Sequence, residues 1–240
     1  MFPSWDENRV LAHRDTADLE ALVGSGIANI LRTRLRTGDV FIDVGAKNGV
    51  ESTLAAARAV GAKGRVIALE PHPDRFRRLL HNVAVNRSVN IVCVLAAASD
   101  ETISATLFHE PPRQDVACAG HSIHVERVDR LCLKLGCQQV DLVKIDVSGS
   151  ELLVLRGMNE LLGCQAPPKI LCRISKCSPG MFQSHCNRIA AYMAEYGYAA
   201  KRLGPNFITR SAREITTVQA LIWFDRSAPG ESFDVFSARS

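Results

Sequence analysis

The chain predicts an α/β fold, a doubly wound and mostly parallel sheet, on three observations. Short, nearly continuous apolar runs recur along it, as in strands buried on both faces. Segments of helical spacing separate these runs, the rhythm of a parallel sheet covered on both sides. Two runs, VFIDV at Val40–Val44 and RVIALE at Arg65–Glu70, carry an acid at or near their ends, and the first opens directly into the glycine-flanked loop Gly45-Ala46-Lys47-Asn48-Gly49.

Taken in order, Leu19, Leu22, Val23, Ile27, Ile30 and Leu31 suit one helical face, interrupted near Gly24-Ser25-Gly26. They define an N-terminal helical extension over 1–37, ahead of a sheet domain over 38–240. Val40–Val44 is the first strand, Val50–Val60 an alanine-rich helix ended by Gly61, and Arg65–Leu69 the second strand. After Pro71 and Pro73, Phe76, Leu79, Leu80 and Val83 mark a helix face. Asn90–Leu95 is the third strand, and the alternation of Ile103–Phe108 reads as an added one. His109–His124 has no period and is the longest irregular stretch, a functional or mobile loop. A short helix over Val125–Leu135, a fourth strand over Asp141–Ile145 and a helix over Glu151–Leu162 follow. Ile170–Ile174 is the fifth strand, Asn187–Tyr196 a helix stopped by Gly197, and Phe207–Thr209 with Val218–Phe224 a closing hairpin-like pair. Right-handed crossovers then put the ligand site at the carboxyl ends of the strands, near the switch point.

Composition excludes several classes. Hydrophobic content of 47%, charged content of 22% and a net charge of +4 are those of a globular protein, too weakly and diffusely basic for a nucleic-acid partner. The densest basic spots, Arg32–Thr37 and Arg75–Arg78, read as solvated helix faces or as a patch for an acidic substrate. No apolar run is long enough for a bilayer, and MFPSWDENRV does not resemble a signal peptide. The 8 cysteines include no CxxC pair and read as reduced thiols of a cytoplasmic protein. No tight metal-ligand motif occurs, so no metal is expected; a homo-oligomer stays open.

The loop after the first strand bears on the cofactor. A dinucleotide fingerprint pairs its first glycines as GxG and lays a pyrophosphate on a helix N-terminus. Here that pair is missing, and Asp43 sits two residues before Gly45, where it would repel a phosphate. S-adenosylmethionine carries an ammonium and a sulfonium and tolerates a nearby carboxylate, so Asp43 favours that cofactor over NAD. Gly45, Ala46, Lys47, Asn48 and Gly49, with Thr53 in the helix that follows, are its expected cradle. Glu70 can accept from both ribose hydroxyls, Pro71 and His72 lie at the ribose or adenine edge, and Ala97 and Ala98 leave room for the ring.

DVFIDVGAKNG, RVIALEPHPDRFRRLLHNVAVN and VDLVKIDVSGSELLVLRG, in that order, resemble the FkbM family of S-adenosylmethionine-dependent methyltransferases over roughly residues 38–200. The resemblance implies a class I methyltransferase fold, with seven strands and the last inserted antiparallel. It also implies a sugar or secondary-metabolite hydroxyl as the methyl acceptor. The chain departs from the family at three places near the expected site mouth. Lys47 stands for the asparagine of GANxG, Ser148 for the acid of KIDVEG, and Arg173 for a glutamate near the end of the fifth strand.

Methyl transfer is an in-line displacement in which the protein supplies alignment. Asp146, at the end of the fourth strand, is the first candidate for a base or substrate-orienting group, and also for a helix cap or cofactor contact. Glu151, in the first turn of the next helix, suits the dipole there or the site. His121 and His124 are candidate bases from the irregular stretch, or plain surface histidines. Two other readings remain: an NAD-type reductase, and a regulatory protein that keeps the cofactor pocket without catalysis.

Overall fold

The structure is a computed structural model that describes residues 26–108, 120–177, 179–211 and 214–226. The strands are β1 (Val40–Val44), β2 (Arg65–Leu69), β3 (Ile91–Val94), β4 (Ala97–Ala98), β5 (Ile103–Phe108), β6 (Gly120–Glu126), β7 (Leu142–Ile145), β8 (Lys169–Cys177), β9 (Ala199–Ser211) and β10 (Glu214–Asp225). The helices are α1 (Gly26–Arg34), α2 (Thr53–Val60), α3 (Pro73–Val85), α4 (Val128–Lys134), α5 (Glu151–Arg156), α6 (Asn159–Gly163) and α7 (Pro179–Glu195).

Seven strands form one sheet in the order β3-β2-β1-β7-β8-β10-β9. The pairs from β3 to β8 are parallel, and β10 runs antiparallel to both of its neighbours. The expected architecture, with the last strand inserted antiparallel, is therefore the observed one. β1 shows why an apolar run alternates faces yet stays buried. Ile42 and Val44 join Val143, Ile145 and Ile170 in the core under α4–α7, while Phe41 joins Ile27, Leu31, Ala56 and Val60 under α1 and α2. The chain winds outward from β1 to β3 and then returns to lay β7 beside β1, so the switch point falls between these two strands.

Several elements differ from expectation. Residues 109–119 lie outside the described ones, but the supposed loop ends in β6, which pairs with β4 and antiparallel β5 in a second, three-stranded sheet. The next helix starts only at Val128, because Arg127 is still extended (φ −72°, ψ 135°). The helix expected over Glu151–Leu162 breaks at Gly157, where a Cβ would lie 1.9 Å from the Ser99 carbonyl oxygen. That break lets the segment after β4 pass against it. α7 begins at Pro179 rather than Asn187; proline fits a first helical turn, where its missing N–H leaves no bond unmade. The first part of the expected N-terminal helical region, up to residue 25, lies outside the described residues. No helix among the described residues is long and apolar enough to cross a membrane.

Candidate active site

The loop from β1 to α2 is held by its own backbone. Gly45 and Ala46 N–H both donate to the Leu69 carbonyl at 3.0 Å, Gly49 N–H to the Ala46 carbonyl at 2.9 Å, and Val50 N–H to Asn48 Oδ1 at 3.2 Å. Lys47 N–H donates to Glu70 Oε2 at 2.8 Å. Gly45 takes φ +77°, and a Cβ there would come within 2.3 Å of the Asp146 carbonyl oxygen. Glycine is required at this point because the β1 loop crosses directly over the end of β7. Lys47 takes φ +58°, a left-handed conformation that lysine adopts at some strain.

Asp43 lies beneath this loop, 0% exposed. Its Oδ2 accepts from Ser52 Oγ and Thr53 Oγ1, both at 2.6 Å, and its Oδ1 accepts from Lys144 Nζ at 2.8 Å. Two hydroxyls at the start of α2 and the β7 lysine thus close over the carboxylate. The loop donors just described are committed inside the protein, and a carboxylate faces the start of the next helix. That carboxylate would repel a pyrophosphate laid on the start of α2.

In front of the loop opens a cavity of about 350 Å³ at the carboxyl ends of β1, β2 and β7. Of the residues expected at a cofactor, Gly45, Lys47, Glu70, Pro71, His72, Ala97, Ala98 and Asp146 line it. Asp43, Ala46, Asn48, Gly49 and Thr53 are absent from that lining; they build the support behind it. Glu70 is 2% exposed, and its two oxygens accept the N–H groups of Lys47 (2.8 Å) and His72 (3.0 Å), so the carboxylate is fixed where the cavity begins.

At the other end of the cavity stands Asp146. Its Oδ2 accepts from Lys47 Nζ at 2.7 Å and from Arg173 Nη1 at 3.2 Å, with Lys144 Nζ 3.8 Å away. Among the described residues no hydrogen bond reaches its Oδ1. Burial alone would raise the Asp146 carboxyl, but Lys144, Lys47 and Arg173 outweigh it and hold the group below the usual aspartate value. Arg173 also donates to Glu51 Oε1 at 2.7 Å. Both cationic departures from the family pattern therefore meet on one oxygen.

Glu151 is 0% exposed and does not line the cavity. Its Oε1 accepts from Gly149 N–H at 3.2 Å, and its Oε2 lies 2.9 Å from His185 Nε2. Burial pushes its carboxyl up, and these hydrogen bonds offset only part of the rise. His121 and His124 sit on β6. The His121 ring lies 6.0 Å from that of His72, while His124 Nε2 lies 3.3 Å from the buried Glu126. Sequence reasoning gave no site role to Lys144, Ser150 or His185, and it named Arg75, which lines the cavity, only within a basic patch. For Lys144 a signal existed, since a lysine inside the apolar run LVKI needs a buried partner.

The Methyltransferase FkbM domain matches residues 43–200. The chain belongs to the FkbM methyltransferase family. This FkbM chain is 28% identical over 145 residues to the hexuronic acid methyltransferase AglP of Haloferax volcanii, covering 57% of this chain and 56% of that protein. It thus spans little more than half of that relative. Among solved structures it is similar to the FkbM methyltransferase of Methylobacillus flagellatus KT, with TM-score 0.56 and 19% identity over 80% of this chain and 44% of the other. It is also similar to a putative rRNA-methylase of Clostridium thermocellum, with TM-score 0.53 and 11% identity over 82% and 92%. At these identities the structural likeness is one of fold.

Proposed function

We propose that the chain is an S-adenosylmethionine-dependent O-methyltransferase acting on a small sugar or secondary-metabolite acceptor. The observation that carries the cofactor is the β1 loop, backed by the Asp43 carboxylate and with its Gly45, Ala46, Lys47 and Gly49 N–H groups held within the protein, beside a cavity that ends in the buried Glu70 carboxylate. Such a site suits a ribose without a pyrophosphate. Each Glu70 oxygen has a second lone pair for a ribose hydroxyl, and Ala96, Ala97 and Ala98 form a shallow apolar wall for a purine. The cavity volume falls in the range of small-molecule sites. Bound there, the cofactor would supply a methyl group activated on a sulfonium.

The chain's own residues do the positioning. Glu70 and the alanine wall fix one end, the Gly45 turn keeps the β1 and β7 loops in contact, and Asp146 Oδ1 faces no protein donor among the described residues. Asp146 is an orienting acceptor in this reading, since three cations make its carboxylate a weak base. The named substrate of the Haloferax volcanii relative supports a sugar-type acceptor. Cysteines without a CxxC pair support a cytoplasmic setting. Calorimetry with S-adenosylhomocysteine and with NAD tests the reading: binding of the first alone is expected, and binding of NAD alone would overturn it. Adenosyl binding without turnover on any acceptor would make the chain a cofactor-binding regulator instead.

A further inference from the structure

We propose that the oxygen methylated here is a carboxylate oxygen, so that the product is a methyl ester, and that Lys47 and Arg173 hold the acceptor's carboxylate beside Asp146. This rests on the methyltransferase reading above and names the acceptor of that same site.

A hydroxyl acceptor must give up a proton, and the acids around the cavity are poorly placed to take it. Asp146 is locked as an anion by Lys47 and Arg173. Both Glu70 oxygens accept backbone N–H groups, and Asp43 is sealed off by Ser52, Thr53 and Lys144. Glu151 is fully buried against Gly149 and His185. His72 Nδ1 accepts the Asp74 N–H at 3.2 Å, and His121 and His124 sit on β6, outside the cavity lining, with His124 Nε2 3.3 Å from Glu126.

A carboxylate is already ionised at neutral pH and needs donors and counter-charge rather than a base. The Asp146 end offers both. An ammonium carries three N–H donors and a guanidinium five. The Asp146 and Glu51 contacts occupy one donor of Lys47 and two of Arg173 among the described residues. Both side chains remain partly exposed, at 44% and 24%; Lys47 lines the cavity, and Arg173, outside its lining, meets it through Asp146. Asp146 aims the two head groups, and its own charge is covered by them and by Lys144. The step balances without a proton. One carboxylate oxygen forms the O–CH₃ bond as the methyl leaves its sulfonium, and the carbon–sulfur electron pair stays on sulfur. An anion and a cation become a neutral ester and a neutral thioether.

The test uses the full chain with methyl-labelled S-adenosylmethionine and a panel of paired acceptors: glucuronide against glucoside, galacturonide against galactoside, and small organic acids against their amides. In calorimetry with S-adenosylhomocysteine present, a carboxylate is expected to bind and its neutral partner to fail. The product is expected to release labelled methanol in mild alkali and to form without net proton release. An alkali-stable ether formed with one proton per turnover overturns the proposal, as does a panel in which no carboxylate binds. Lys47→Asn relieves the left-handed backbone, so the loop survives it. That variant and Arg173→Gln are each expected to weaken carboxylate binding roughly 10–100-fold, and Arg173→Gln, outside the cavity lining, to leave S-adenosylhomocysteine affinity unchanged. If Lys47→Asn instead weakens S-adenosylhomocysteine but leaves 5′-methylthioadenosine untouched, Lys47 holds the cofactor's own carboxylate and its acceptor role falls. Failure of every adenosyl ligand to bind the parent protein would sink the underlying methyltransferase reading rather than the choice of acceptor.

Discussion

The two ends of the cavity are built on opposite plans. At the β1–β2 end, Glu70 on the wall and Asp43 behind it each hold a protein donor on both carboxylate oxygens, and neither is more than 2% exposed. At the β7 end, Lys47 on the wall and Arg173 outside the lining share a single oxygen of Asp146 and stay partly open to solvent. The closed network gives a fixed surface with one lone-pair pattern to offer. The shared one leaves donors that a ligand can recruit without unpairing anything. In the methyltransferase proposed above, one end would hold a constant cofactor and the other would select among acceptors.

Substitutions can break or sharpen that contrast. The largest effect is expected from Lys144→Met, which strands the Asp43 carboxylate, 0% exposed, without its cation. A loss of about 3–5 kcal/mol in urea unfolding is expected; a loss near zero would mean that the Lys144 contact does not hold the closed network together and that the two ends are not so different. Next comes Glu70→Ala, expected to weaken S-adenosylhomocysteine roughly 10–100-fold by calorimetry and to cost about 1–3 kcal/mol of stability by orphaning the Lys47 and His72 N–H groups.

Asp146→Asn is expected to cost less, about 1–2 kcal/mol at neutral pH, because its partners are partly solvated. Its pH signature has a definite sign. The folded carboxyl sits below its usual value, so its stabilisation is present above the ordinary aspartate pKa and is lost as pH falls through the lower folded one. The stability gap between parent and variant should therefore close on acidification from about pH 4 downward. Smallest is Lys47→Asn, expected to change thermal stability by less than about 1 kcal/mol, since a 44% exposed ion pair is exchanged for a relaxed backbone. A large loss there would show that Lys47 also belongs to the closed network.

The same contrast governs what the sequence made legible. The bounds expected for β1, β2 and β5 coincide with the observed ones, because their apolar or alternating runs end in sharp turn signals. β6 was hidden because GHSIHVE is half polar and follows Pro111 and Pro112. In the site, motif spacing found Gly45, Lys47, Glu70 and Asp146, all on the cavity wall. It did not reveal which way the Asp43 side chain turns, which is toward Ser52 and Thr53 behind the loop. His185 left no local signal, since its contact with Glu151 joins two helices distant in sequence.

The place of β10 has a consequence for how the chain is made. β10 lies between β8 and β9, so the sheet cannot close until residue 225 has left the ribosome. β1, β2 and β3 pair from neighbouring stretches of chain and can form early, as N-terminal parts do during synthesis. Through the interval β8 presents an open, hydrogen-bond-hungry edge, the kind that recruits other chains. The wait for β9 and β10 is thus an interval of aggregation risk for this sheet.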